Sequence, residues 1–466
     1  MENSSLTGFI FVHCPPCVII HLFVSMSKSF KIIVLILLVA ILGTGLFYFL
    51  KSKITYEFGP GDIIEPPEAT STENIIDQID GVHDIKNQSS LANPPTTIKA
   101  IYSTGWSAGS RSRLDYLIDL IDSTELNAVV IDIKDYSGHV SYEIDSPIIK
   151  GSGADEELKI LRPNALIKEL HDNGIYVIGR ITIFQDPILA EAHPEWALQV
   201  GTSSETWYDR KGLAWLDPAS KNVWDYNIIV AKDAIERGFD EVNFDYIRFP
   251  SDGDLSVIHY PFWDEIRPRH VVLRDFFKYL RGQMGKARIS ADLFGLSTVD
   301  IGDLGIGQVI EDAYLYFDFV APMVYPSHYA AGSFGYNNPA LNPYEMVKYS
   351  LEGALNRLNL LEKELTSVSS SATSSPIEKP DVVLAKIRPW LQDFDLGADY
   401  DAGKVRAQIQ ATYDVFCGGA GVNIETSTDL FGSKMMNGCD PGLSGWMLWD
   451  PSNIYTKEAL VQESGS

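Results

Sequence analysis

The chain reads as an α/β protein: a (β/α)8 barrel preceded by an N-terminal transmembrane helix and a flexible linker. Three observations predict this. From Ile98 onward, eight short runs rich in β-branched residues alternate with helical stretches, the pattern of repeated βα units around a parallel sheet. Ahead of them, Ile32 to Leu50 is almost wholly apolar and long enough to cross a bilayer as a helix. No G-x-G-x-x-G follows the first run, which removes the main support for an open dinucleotide-binding sheet.

In chain order, residues 1–25 form an extension in which the apolar stretch Gly8 to Val24 is interrupted by His13, Pro15, Pro16 and His21. Met26, followed by Ser-Lys-Ser-Phe-Lys, is the expected start of translation. Residues 26–54 are the expected membrane anchor. Lys28 and Lys31 precede the apolar run and Lys51 and Lys53 follow it, so flanking charge does not set the orientation. No small-residue cleavage site follows, which predicts an uncleaved anchor. Residues 55–97 lack periodicity and carry Pro60, Pro66, Pro67, Pro94 and Pro95, the composition of a tether. The barrel is expected over residues 98–460, with the chemistry outside the cytoplasm.

The eight predicted strands are Ile98–Ser103, Ala128–Lys134, Ile175–Thr182, Glu241–Phe249, Arg288–Phe294, Phe319–Tyr325, Val383–Trp390 and Leu443–Trp449. Helices fit between them. Leu114, Leu117, Ile118 and Ile121 follow the i, i+3, i+4, i+7 stripe, and Gly174 and Gly238 stand where helix ends belong. Residues 365–381 are a Ser/Thr-rich insertion, expected to be a loop without chemistry.

Composition narrows the function. The formal net charge of −25 argues against a nucleic-acid partner, which needs clustered Lys and Arg. The nine His show no H-x-H or H-E-x-x-H spacing, so neither a metal nor a cofactor is expected. Four cysteines are present. Cys14 and Cys17 stand alone as a C-x-x-C, whereas Cys417 and Cys439 flank one predicted loop and are either a disulfide or two unpaired small residues.

Barrel active sites lie at the C-terminal strand ends, and a charge inside a buried parallel strand is costly unless paired or used. Asn243 and Asp245 share one face of the fourth run by the period of two. Asp245 and Asp292 are then carboxylates on adjacent strands, the pair that glycoside hydrolysis requires. These two are the expected catalytic residues. Other polar or aromatic groups at strand ends are expected to bind substrate: Asp132, Lys134, Tyr136, Arg180, Asn243, Arg248, Tyr325, Trp390, Trp449 and Asp450. Trp390 and Trp449 are the expected sugar platforms, helped by loop aromatics including Trp196, Trp207, Trp215, His328 and Phe334. A structural role competes at each position, since Asp245 or Asp132 would also serve as an ion-pair partner of Arg180.

The phrase Val242-Asn243-Phe244-Asp245-Tyr246-Ile247-Arg248-Phe249-Pro250 resembles the fourth-strand motif of a bacterial barrel family, the putative glycosyl hydrolase domain family. Gly105-Trp106, Val130 to Asp135, Trp215-Leu216-Asp217-Pro218 and Pro322 to Pro326 are similar to further parts of it. The resemblance spans roughly Ile98 to Tyr455. It implies a barrel distantly similar to amylase-type glycosidases, with Asp245 in the nucleophile position and Asp292 in the acid position. The amylase-type enzymes place Glu at the latter, and this chain departs from them with the shorter Asp292.

The function expected is hydrolysis or transglycosylation of cell-envelope or extracellular polysaccharide. A non-catalytic, membrane-anchored carbohydrate-binding barrel would show the same aromatics but would tolerate loss of a carboxylate. Schiff-base chemistry through Lys134 or Lys386 is the third reading.

Overall fold

The computed structural model describes residues 83–371, 383–418 and 439–462. The expected extension, the anchor, the first part of the tether and residues 372–381 of the insertion lie outside these. Among the described residues, no helix is long and apolar enough to cross a membrane.

Eight parallel strands close into a barrel. They are β1 (Ile98–Ser103), β2 (Ala128–Lys134), β3 (Tyr176–Thr182), β4 (Glu241–Asp245), β5 (Ile289–Phe294), β6 (Phe319–Met323), β7 in two pieces (Lys386–Ile387 and Trp390–Gln392) and β8 (Gly445–Trp449). Each pairs in parallel with the next, and β8 pairs with β1 from Ile98↔Gly445 to Ile101↔Leu448. Gly445 makes that closure: its φ is 114°, and a Cβ there would lie 1.8 Å from the Ile98 carbonyl oxygen.

A helix follows each of the first seven strands: α1 (Arg111–Asp122), α2 (Pro163–Asp172), α3 (Lys221–Arg237), α4 (Arg269–Met284), α5 (Ile310–Tyr314), α6 (Pro343–Ser371) and α7 (Ala402–Cys417). After β8 the described chain makes the short turn Lys457–Ala459, whose Ala459 carbonyl accepts from Arg406 of α7. The period of two sorts the strands. On β4, Val242 and Phe244 point outward into the apolar layer under the helices, where Phe244, Phe317 and Phe277 form a ring chain. Full burial of each such side chain contributes roughly 1.5–3 kcal/mol. Glu241, Asn243 and Asp245 point inward, into a barrel interior otherwise filled by Ile98, Ala100, Val130, Ile178, Ala321 and Met447.

Most expected boundaries move: β3 starts at Tyr176, β5 at Ile289, β7 at Lys386 and β8 at Gly445, β6 ends at Met323, and three further changes have a visible cause. β4 ends at Asp245 rather than Phe249, because the Asp245 carboxylate accepts the N–H of Tyr246 (2.6 Å) and Tyr246 turns to a φ of 52°. β7 is broken at Arg388-Pro389, where proline has no N–H for the ladder. Residues 365–371, read as the start of a loop, continue α6.

The described end of the expected tether has no regular structure, but it is tied to the barrel. Asp84 accepts the N–H groups of Asn164 and Ala165 at the start of α2. Gln88 donates to the Arg237 carbonyl at the end of α3, and Leu91 donates to Asp240 at the base of β4. Leu91 also packs against the apolar interior.

Candidate active site

The polar residues inside the barrel form two layers. In the lower one, Glu241 and Arg388 form an ion pair with both side chains wholly buried. Ser290 also donates to Glu241 (2.6 Å).

The upper layer centres on Arg180, from β3. Its Nη1 donates to Asp132 of β2 (2.6 Å), its Nη2 to Asp245 of β4 (2.5 Å), and its Nε lies 3.8 Å from Asp292 of β5. One guanidinium therefore serves three carboxylates. Burial works against its charge, but the three carboxylates outweigh that and raise its pKa well above the usual arginine value. Strand register explains the gathering: Asp132 stands beside Arg180, Arg180 beside Asn243, and Asn243 beside Ser290, two residues before Asp292.

The two central carboxylates differ in surroundings. Asp245 holds Arg180 with one oxygen and the Tyr246 N–H with the other. Asp292 accepts from Asn243 Nδ2 and Trp390 Nε1 on the same oxygen, Oδ1, each at 2.8 Å. Burial, then the charge of Asp245, pushes the Asp292 carboxyl up to about 8, against the pull of Arg180 and the two N–H donors. With Oδ1 occupied by two donors, a proton on this carboxyl belongs on Oδ2. Asp132, held by Tyr102 (2.5 Å) and Arg180, is also raised by burial.

Asp245, Asp292 and Arg180 floor a pocket at the C-terminal mouth of the barrel. Its empty space is ≈ 840 Å3, counting the part open to solvent. One wall carries Tyr325, His328 and Phe394, three rings meeting edge to face at 5.2–5.9 Å. The other carries Tyr246, Arg248 and Phe294. Gly295 permits this wall, since a Cβ there would lie 2.5 Å from the Met323 carbonyl oxygen.

A model of the putative glycosyl hydrolase domain matches residues 100–419. The chain belongs to this family. No curated protein matches the chain. Among solved structures it is similar to a hypothetical protein from Ruminiclostridium thermocellum ATCC 27405, with 40% identity over 41% of this chain and 96% of that one, at a TM-score of 0.38. It is also similar to the PgaB (BpsB) glycoside hydrolase domain from Bordetella bronchiseptica, with 14% identity over 77% of this chain and 95% of that one, TM-score 0.49. The glycoside hydrolase domain of PelA from Pseudomonas aeruginosa shows 11% identity over 77% of this chain and 97% of that one, TM-score 0.37.

Asp245, Tyr246 and Arg248, within the stretch Val242 to Pro250, thus line the pocket. Of the residues expected there, Asp245, Asp292, Arg180, Arg248, Tyr325, Trp390 and Trp449 line the pocket. Asn243 and Asp132 lie beneath it, touching Asp292 and Arg180. Three expectations fail on position. Lys134 is wholly buried and paired with Asp186 (2.5 Å), because the register of β2 shifts between Asp132 and Lys134. Tyr136 is exposed outside the pocket lining. Asp450 caps its own turn, accepting from Ser452 (2.7 Å) and Ile454 (3.3 Å), with its carboxyl raised by burial to about 6. Lys386, the other Schiff-base residue considered, is exposed at the opposite end of β7.

The aromatic expectations shift too. Trp390 is buried and its indole N–H donates to Asp292. Trp449 lines the pocket but is stacked on Tyr102 at 3.8 Å. Trp207 and Trp215 belong to the core, Trp196 stacks on His193, and Phe334 stands against Tyr349. Sequence reasoning missed Tyr102, Phe294 and Phe394. Tyr102 had a signal, a hydroxyl near the end of the first strand, and Phe294 had one as the aromatic last residue of its strand; Phe394 had none. Cys417 and Cys439 form a disulfide.

Proposed function

We propose that this protein is a glycosidase, hydrolysing or transferring glycosyl units of cell-envelope or extracellular polysaccharide. The observation that carries the reading is the pair Asp245 and Asp292, on neighbouring strands at the floor of one pocket, with Asp292 pushed up by burial and Asp245 held by Arg180. Glycosyl transfer to water needs one carboxyl that keeps its proton and one that stays ionised. Asp292, dry and beside a second carboxylate, is the acid. Its Oδ2 proton goes to the leaving glycosidic oxygen as the C–O bond breaks. Asp245, held by Arg180 and the Tyr246 N–H, supports the positive charge developing at the anomeric carbon, as nucleophile or as base toward water. Asn243 and Trp390 position Asp292 from below and behind. Family membership and the aromatic wall of the pocket support a carbohydrate substrate.

We further propose that the domain works outside the cytoplasm, tethered by the apolar segment around Ile32 to Leu50. The Cys417–Cys439 disulfide supports this, because such bonds persist in oxidising compartments. The catalytic reading is tested by incubating full-length wild type and Asp245→Asn with a panel of purified envelope and exopolysaccharides and measuring new reducing ends. Release that falls at least about a hundredfold in the variant supports it. Absence of release across the panel, with binding retained, replaces it by a non-catalytic carbohydrate-binding barrel.

A further inference from the structure

Arg248 differs from every other buried arginine of the barrel interior. Arg180 has three carboxylates and Arg388 has Glu241. Arg248 lines the pocket at 6% exposure, and among the described residues no carboxylate lies within ion-pair distance of it. Its hydrogen bonds go to neutral acceptors, the Phe249 carbonyl (3.1 Å) and Ser251 Oγ (3.2 Å), and both come from Nη1. Nε and Nη2 have no acceptor among the described residues. Unlike Arg180 Nε and Arg388 Nη1, which are sealed from solvent, both atoms keep some exposure. That edge of the guanidinium is therefore open to the pocket.

The side chain is nonetheless packed among aromatic rings. Trp215, Phe294 and Tyr246 surround it at 4.7, 4.9 and 5.4 Å from ring centroid to guanidinium carbon. Burial without a close counter-ion lowers its pKa. A dry guanidinium is costly when unpaired, and its Nε–Nη2 edge matches a planar anion with two parallel N–H···O bonds. Resting on the glycosidase reading above, we infer that Arg248 is a specificity residue which receives the carboxylate of an acidic sugar, so that the substrate is a uronate-containing polysaccharide. One open cation among apolar rings suits a single negative charge. A phosphate monoester, carrying about −1.5 to −2, would leave charge unbalanced.

The test is a binding titration of the full-length chain by calorimetry. The probes are a set of short oligouronates, the same oligomers after reduction of their carboxyls to alcohols, and a hexose phosphate. Wild type is expected to bind at least one acidic oligomer about tenfold or more tightly over its reduced partner, the size of one charge-assisted contact. It should bind the hexose phosphate less tightly than that oligomer. In Arg248→Gln the preference for the acidic oligomer over its reduced partner should vanish. Arg248→Lys should keep only part of the preference, because it keeps the charge and loses the fork. Equal binding of acidic and reduced oligomers by wild type overturns the inference without any variant. So does tighter binding of hexose phosphate, or a folded Gln variant that keeps the preference. Acidic-oligomer binding without cleavage would remove the glycosidase reading and leave this one standing. Cleavage of a neutral polysaccharide with no acidic preference would do the reverse.

Discussion

Two clusters of the same chemistry sit one above the other inside this barrel, and they behave as opposites. The lower pairs one guanidinium with one carboxylate, Arg388 with Glu241, and seals both from water. The upper sets one guanidinium, Arg180, against three carboxylates and opens two of them to a pocket. Matched charges give a neutral, static plug. A surplus of carboxylates in a dry place forces a proton onto one of them, and Asp292 is the group that keeps it. The difference lies in the count of partners, not in the residue types.

The comparison breaks most visibly at the upper layer. Asp245→Asn is expected to lower turnover by at least about a hundredfold while thermal unfolding stays cooperative. A variant with near-normal turnover would place Asp245 with the structural pairs. In the lower layer the effect should appear in stability instead. Arg388→Ala leaves Glu241 buried and unpaired, at a cost of about 3–5 kcal/mol in denaturant unfolding, whereas activity per folded molecule is retained.

Acid and alkali sharpen the contrast further. The Asp292 carboxyl rises from the ordinary carboxylate range to about 8 on folding, so the folded chain holds a proton that the unfolded chain releases. Its contribution to stability is full below about pH 4 and is lost as pH climbs through the folded value. Asp292→Asn should flatten that alkaline decline, because the amide keeps an oxygen for Asn243 and Trp390 but cannot ionise. Trp390→Phe removes one donor to the ionised form, so the alkaline limb of kcat/KM should move to higher pH. The smallest effect concerns the segment ahead of β1. Asp84→Ala deprives the first turn of α2 of its acceptor and should cost about 0.5–2 kcal/mol, measured by thermal unfolding.

Much of this fold was legible because each strand announces itself. Runs such as Ala128–Lys134 and Tyr176–Thr182 are rich in β-branched residues, and the helices between them keep their stripe. The carboxylate pair was legible for the same reason: a period of two places Asn243 and Asp245 on one face, and Asp292 follows on the adjacent strand. What stayed hidden depends on contacts distant in sequence. Lys134 looked like a strand-end ligand, but Asp186, 52 residues on, takes it out of the site. Trp390 looked like a platform, yet its indole N–H is spent on Asp292, 98 residues away. Residues 83–97 had no periodicity to show, since their attachments are caps and single backbone bonds rather than a face.

The most direct test of the carboxylate pair is reducing-end release by Asp292→Asn, measured beside wild type on a polysaccharide that wild type cleaves. A loss of about a hundredfold or more is expected, with the remaining rate no longer falling on the alkaline side. Near-wild-type release with an unchanged alkaline limb would contradict it, and would move the acid to another group in the pocket.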